Sequence, residues 1–262
     1  MPLVKTKDEI EIMRRGGKLL AKALQAAVDA ARPGVTMREL DAIAEKVIID
    51  GGGRPSFKGY KGGGPKPFPS TLCVSRNDEV VHGVGEREET LQDGDVVGLD
   101  VGLWFDGLCV DMAATVPIGN ITKEKLDLLR LTRDALYVGV DAALAGNMIS
   151  DIGATIEDSV DTKKYGIVRS LVGHGVGHAV HEKPHIPNYK TLKFGEQKIQ
   201  AGMCLALEPM ITTGSDEVET SEDGWTIITA DGSDAAHFEV TVVVGEDGPE
   251  ILTPQPKVRL LD

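Results

Sequence analysis

The sequence predicts one α/β domain built as two similar halves, with a site where the halves meet. Three observations carry this expectation. Helix-period apolar runs and short strand-like runs recur in both halves of the chain. The 262 residues are 41% hydrophobic, enough for one sizeable core. No stretch of linker composition divides them, because residues 117–121 are too short to separate independent domains, so residues 1–262 read as a single domain.

Ile10, Met13, Leu20, Leu24, Ala27 and Val28 recur at helical spacing from about Lys7 to Ala31, and Pro33-Gly34 ends the run. Thr36-Met37-Arg38-Glu39 fits a capping box at the start of a second helix, which Gly51-Gly52-Gly53 stops. Residues 54–70 form a loop rich in Gly and Pro, including Gly62-Gly63-Gly64-Pro65, whose length suggests a functional role. Strands are expected over Thr71–Ser75, Val96–Trp104 and Leu108–Val116, and helices over about Thr122–Ala145 and Ser150–Asp161. The second half returns to strands at Leu171–Val172, Met203–Ile211, Trp225–Ala230 and His237–Val244.

A net charge of -13 argues against nucleic acid as the main ligand, since phosphate binding needs a basic face. The basic residues Lys5, Lys7, Arg14, Arg15 and Lys18 fit either a ribosome-docking face or a solvated helix face, and solvation is the simpler reading. Cys73, Cys109 and Cys204 are odd in number, widely spaced and without a CxxC pair, which points to a reducing compartment. The first residues are charged and lack an apolar signal core, and no run of eighteen apolar residues occurs, so a cytosolic protein without a membrane span is expected.

Five residues stand out because they are charged or titratable within apolar or glycine-rich runs: Asp100, Asp111, His174, Glu208 and Glu239. Charged side chains avoid such strands unless something pairs with them. Asp106-Gly107 reads as a two-residue hairpin turn. That turn sets Asp111 opposite Gly102, which shares a face with Asp100. The two aspartates then become diagonal neighbours, about 7–8 Å apart at the backbone. His174 lies among Gly173, Gly175 and Gly177, where backbone or a ligand can approach closely. Glu208 ends an apolar run just before Pro209, and Glu239 shares one strand face with His237 and Thr241.

His181-Glu182-Lys183-Pro184-His185 matches the HExxH spacing of zinc proteases, but that motif needs a regular helix. Pro184 inside the segment and the glycines before it reject a helix there. A Lys or Arg partner explains one buried glutamate, not four such acids. Four converging carboxylates repel one another and some stay protonated, a conflict that two divalent metal ions resolve. Mostly oxygen ligands with one imidazole suit Mn, Fe, Co or Zn.

With these pieces in order, VVGLDVG, GLCVDMAAT, GHGVGH, ALEPM and HFEVTV, the chain resembles the type I methionine aminopeptidases along nearly its whole length. The resemblance implies the pita-bread fold: two pseudo-symmetric halves of antiparallel sheet covered by helices, with the metal site between them, in a single catalytic aminopeptidase domain. It implies a monomeric enzyme that removes the initiator methionine from nascent peptide N-termini when the second residue is small. By the same resemblance Asp100, Asp111 and Glu239 hold one ion, with Asp111 and Glu239 bridging, and His174 and Glu208 complete the other. His82 contacts the substrate N-terminus region, His181 binds the scissile carbonyl, and Glu208 is the candidate general base. Tyr60, Cys73 and Trp225, with Phe57 and Phe68, are expected to form the methionine pocket, and a monovalent cation is expected near Asn77. The 31 positions from Glu208 to Glu239 leave no room for the insertion of the type II enzymes, and neither a zinc-finger extension nor the extra N-terminal domain of creatinases and prolidases is expected. Val180 stands where bacterial relatives commonly carry an aromatic, and the segment from Phe57 to Phe68 is longer and richer in glycine than usual.

Overall fold

Two capping boxes set the first half of the chain in place. In the computed structural model, which describes residues 3–62, 64–194, 197–259 and 261, helix α1 spans Lys7–Ala30 and α2 spans Met37–Asp50. Thr36 and Glu39 cap α2 reciprocally as the sequence predicts, and Thr6 and Glu9 cap α1 in the same way. Gly63 of the predicted glycine run lies outside the described residues.

The strands and helices that follow are β1 Arg54–Pro55, β2 Leu72–Arg76, β3 Glu79–Val81, β4 Val96–Phe105 and β5 Leu108–Pro117, then α3 Lys123–Ala142 and α4 Ile149–Asp158. The second half continues with β6 Gly166–Ile167, β7 Gly173–Gly175, β8 Glu182–Ile186, β9 Cys204–Leu207 and β10 Met210–Thr212. It closes with β11 Val218–Thr220, β12 Ile227–Thr229, β13 Ala235–His237, β14 Glu239–Val244 and β15 Pro249–Ile251.

One antiparallel sheet joins the halves, in the order β1-β4-β5-β14-β9-β7-β8, with β2 on β4 and β15 on β14. Two smaller sheets, β13-β10-β6 and β11-β12-β3, flank it. α1 packs on β4, β5 and α2, whereas α3 packs on α4 and against β10 and β13. The core between helices and sheet holds Leu20, Leu24, Leu99, Leu103, Met112 and Phe238, all fully buried. No described helix is long and apolar enough to cross a membrane.

The β4–β5 hairpin turns on Asp106 and Gly107, both at positive φ (46° and 86°), the geometry a two-residue turn demands. Gly102 therefore pairs with Asp111, as the turn chemistry predicts. Several expected spans shift. The strand placed at Leu171–Val172 starts instead at Gly173, because pairing with β8 and β9 outweighs the low strand propensity of glycine. The expected strands Met203–Ile211 and His237–Val244 each break in two, at Glu208-Pro209 and at Phe238. At Glu208-Pro209 the chain passes from the large sheet to the small one and at Phe238 it passes back, and Pro209 has no N–H for a ladder. Lys5, grouped with the basic helix residues from sequence, precedes α1 and is buried.

Candidate metal centre and pocket

Strand register alone gathers the five singled-out residues on one face. Cys73 pairs with Asp100, Asp100 with Ala113, and Ala113 with Glu239, so these side chains form a row across β2, β4, β5 and β14. Asp111 lies two residues from Ala113 and shares its face. Thr241 and His174 both pair with Ala206, two residues before Glu208, so His174 on β7 and Glu208 just past the end of β9 join the same face. Glu208 and Glu239 sit at the two strand breaks, where the backbone bends and side chains turn inward. Thr241 Oγ1 accepts the Asp111 N–H (3.0 Å) and donates to the Asp111 carbonyl (2.8 Å), replacing ladder bonds where β5 and β14 part. A Cβ at Gly102 would lie 3.2 Å from Asp111 Oδ1 and 2.3 Å from Ser56 Oγ, so only glycine leaves this space beside the carboxylate.

Asp100, Asp111, His174 and Glu239 are buried, while the Glu208 side chain is 14% exposed. Ligand atoms of Asp111, His174 and Glu239 all lie within 4.8 Å of one another. Burial raises the Asp100 carboxyl to about 7. Burial and then the charges of Asp100 and Glu208 push Asp111 well up, and burial followed by Asp111, Glu208 and Asp100 does the same to Glu239. Burial and then Asp100 raise Glu208. His174 Nδ1 lies 2.9 Å from the Gly175 carbonyl, which only accepts, so Nδ1 carries the proton. The bare Nε2 faces Glu208 Oε1 at 3.5 Å. Burial lowers this imidazole to about 3, which keeps it neutral with its lone pair on Nε2. Asp100 Oδ1 and Glu239 Oε1 are buried without a hydrogen-bond partner among the described residues. Repelling carboxylates, orphaned oxygens and a neutral imidazole with its lone pair inward fit a divalent-cation site.

Above this floor opens a cavity of about 270 Å³ whose walls are Phe57, Tyr60, Phe68, Cys73 and Trp225, with His82 and His181 among its polar groups. The expected pocket residues and both histidines are thus brought to one space. The Tyr60 hydroxyl lies 2.8 Å from His181 Nδ1, and the His181 ring stands edge-on to His174 with centroids 4.4 Å apart. The glycine-rich loop folds over Trp225: the indole N–H donates to the Lys66 carbonyl (3.0 Å), and a Cβ at Gly64 would fall 2.2 Å from the indole ring. The second histidine of the HExxH-like segment, His185, lies on the extended β8 and pairs with His174 across the ladder.

The sequence matches metallopeptidase family M24 over residues 11–246. The chain belongs to that family. A methionine aminopeptidase of Clostridium perfringens is 43% identical over 97% of this chain and 99% of its own. The crystal structure of a methionine aminopeptidase from Thermotoga maritima superposes with a TM-score of 0.91, at 38% identity, over 97% of this chain and all of that one. A prolidase from Pyrococcus furiosus, 23% identical with a TM-score of 0.76, shares the fold over 97% of this chain and 66% of its own. The architecture is the pita-bread α/β fold, and membership of M24 implies divalent metal ions, with which the buried Asp111, His174 and Glu239 cluster is compatible.

Set within M24, two features of this site escaped sequence reasoning. His237 is buried beside Glu208, with Nε2 3.9 Å from Glu208 Oε2 and without a hydrogen-bond partner among the described residues, and burial lowers it to about 3. Its shared face with Glu239 in HFEVTV was the available signal. The Asn77 side-chain oxygen accepts the Val96 N–H (3.1 Å) and the Lys125 ammonium (3.0 Å). That ammonium also meets the Gly94 carbonyl at 3.0 Å and Asp234 Oδ1 at 3.2 Å. Lys125 comes from α3, far along the chain, and nothing in its helical repeat marks it. Val180 is buried in the core, and the aromatic side chain beside His181 is Tyr60 instead.

Proposed function

We propose that the chain is a metal-dependent methionyl aminopeptidase, which removes the initiator methionine from nascent chains when the second residue is small. The observation that carries this reading is a row of four carboxylates, three of them buried, and one buried imidazole flooring an aromatic cavity of side-chain size. Asp100, Asp111 and Glu239 would hold one divalent ion, and His174 and Glu208 would complete the other, with Asp111 and Glu239 shared. Mn, Fe, Co or Zn suits this donor set. When bound, the ion pair supplies an activated water and polarises the scissile carbonyl.

The remaining work falls to the chain's own side chains. Glu208, on the open side of the row, takes the proton that the attacking water gives up and passes it to the leaving amine. His181 holds the carbonyl oxygen. With the Tyr60 hydroxyl donating to Nδ1, the Nε2 nitrogen carries the proton and donates to the charge that develops. His82, lowered to about 4 by burial, meets the substrate N-terminus region as a neutral partner. Phe57, Tyr60, Phe68, Cys73 and Trp225 enclose the thioether, which packs well against ring edges. The Cys73 thiol, raised by burial, stays neutral there. At Asn77 the Lys125 ammonium supplies the charge of a monovalent cation. The named site groups all come from one chain, as a monomer requires, and the unpaired Cys73, Cys109 and Cys204 suit the reducing cytoplasm. Ribosome docking through the exposed Lys7 and Lys18 of α1 is the weaker account of that face, since Arg14 and Arg15 already pair with the chain's own Glu11, Glu250 and Asp106.

The test is a peptide panel. Purified protein with Mn, Co or Fe releases methionine from Met-Ala-Ser, spares Met-Lys peptides and leaves Xaa-Pro dipeptides intact. Cleavage of the Xaa-Pro set without methionine release assigns the site to a proline peptidase instead. Tyr60→Phe keeps the ring and removes the hydroxyl; kcat then falls about tenfold with KM nearly unchanged. A tenfold rise in KM with kcat unchanged would make Tyr60 a pocket wall only.

A further inference from the structure

We infer that Lys5 is a positioning residue for His181, acting through Glu182; this rests on the reading that His181 touches the scissile carbonyl. Lys5 lies in the segment before α1, where its N–H donates to the Gly202 carbonyl (2.8 Å) and Val4 bridges Met203. Its side chain is fully buried, and Nζ reaches Glu182 Oε2 at 2.8 Å. The Glu182 side chain is 4% exposed, making this the most buried lysine–carboxylate pair among the described residues. The other oxygen, Oε1, accepts the Ala179 N–H (2.8 Å), so one carboxylate spans the turn that carries His181. His178, at the start of that turn, lies between Glu9 Oε1 (2.7 Å) and Glu182 Oε1 (3.8 Å).

The turn is made to admit this ammonium. Gly177 has φ +141°, and a Cβ there would fall 2.4 Å from Lys5 Cε, so only glycine lets the lysine stem pass. The Gly177 carbonyl accepts the Cys109 N–H (2.7 Å), two residues before Asp111, which fixes the turn to the strand of the carboxylate row. A buried ion pair adds little net stability over an apolar pair of the same shape. What it does add is direction. One Glu182 oxygen is held by Lys5 and the other by the Ala179 N–H, which fixes the backbone next to His181. The imidazole is then aimed between Tyr60 and His174 rather than left to the rotamers of an exposed turn.

The experiment compares wild type with Lys5→Met/Glu182→Gln, which removes the charge pair while keeping both shapes and an acceptor for Ala179. On Met-Ala-Ser at saturating Mn the double variant loses about tenfold in kcat with KM nearly constant. Introduced into His181→Ala, the same pair of changes costs nothing further, because a residue acting through His181 has nothing left to act on. The His181 ring signals in a ¹H–¹⁵N spectrum, identified by their loss in His181→Ala, shift in the double variant. Full kcat in the double variant, or an undiminished loss in the His181→Ala background, overturns the inference. If wild type releases no methionine, the aminopeptidase reading fails, and the ring signals alone decide: shifted signals support the positioning role and unmoved ones overturn it.

Discussion

Asp111→Ala is expected to lose more than about 100-fold in kcat/KM on Met-Ala-Ser, alongside a fall in bound metal measured by elemental analysis. Asp111 is 2% exposed, sits opposite a glycine and faces Asp100, Glu208 and Glu239. As a proposed bridge it serves both ions, so its loss takes a donor from each. Asp106→Ala is the control. It removes a carboxylate from the same hairpin, but an exposed one paired with Arg15 at the turn, and activity stays at the wild-type level. Asp111→Asn separates charge from shape. The amide oxygen keeps the bond that Oδ1 now accepts from the Met112 N–H, while the charge disappears. Stripped of metal, Asp111→Asn should melt above stripped wild type, because a buried charge among three other acids opposes folding. Retained turnover in Asp111→Ala would remove the bridging role from this residue. An unchanged melting point in the amide variant would show that the row is not electrostatically strained.

Much of this site was legible in the sequence because its strongest signals are local. Asp106-Gly107 sets a turn, the turn sets the pairing of Asp111 with Gly102, and strand alternation then puts Asp100 on the same face. Capping at Thr36 is equally local. What the sequence concealed depends on distant partners. The strand runs through Glu208 and Glu239 look continuous, yet both break, because a second sheet draws β10 and β13 away from β9 and β14. Lys5 resembles any basic residue beside a helix until Glu182, 177 positions on, closes over its ammonium. Tyr60 meets His181 only because the loop from Phe57 to Phe68 folds back onto Trp225, a contact set by Gly64 and the Lys66 carbonyl. The five ligand candidates stood out as charges in apolar runs, whereas the groups that orient them carry no such contrast with their neighbours.

Metal-stripped protein should become more stable as pH falls from about 8.5 to about 6.5, opposite to the metal-loaded form. The Asp100 carboxyl stands at about 7 in the folded chain against an ordinary 3.8, and Asp111, Glu208 and Glu239 are also raised. In that pH range the folded state therefore binds more protons than the unfolded state, so lowering the pH favours folding. Asp100 alone contributes about 1 kcal/mol over the interval, which for a domain of this size moves the melting temperature by roughly 2–4 °C. Below about pH 6.5 the trend flattens, because buried histidines act with the opposite sign. His82 is lowered to about 4 and His174 and His237 to about 3, so there the unfolded chain takes up protons that these rings refuse. Bound divalent ions reverse the first limb: they keep the carboxylates ionised, and protons compete with them as pH falls. Melting curves at stepped pH, with chelator and with Mn, read both slopes directly. Parallel slopes would mean that the carboxylate row does not take up metal, and a chelated form whose stability stays flat from about pH 8.5 to about 6.5 would mean that its acids titrate as ordinary surface groups.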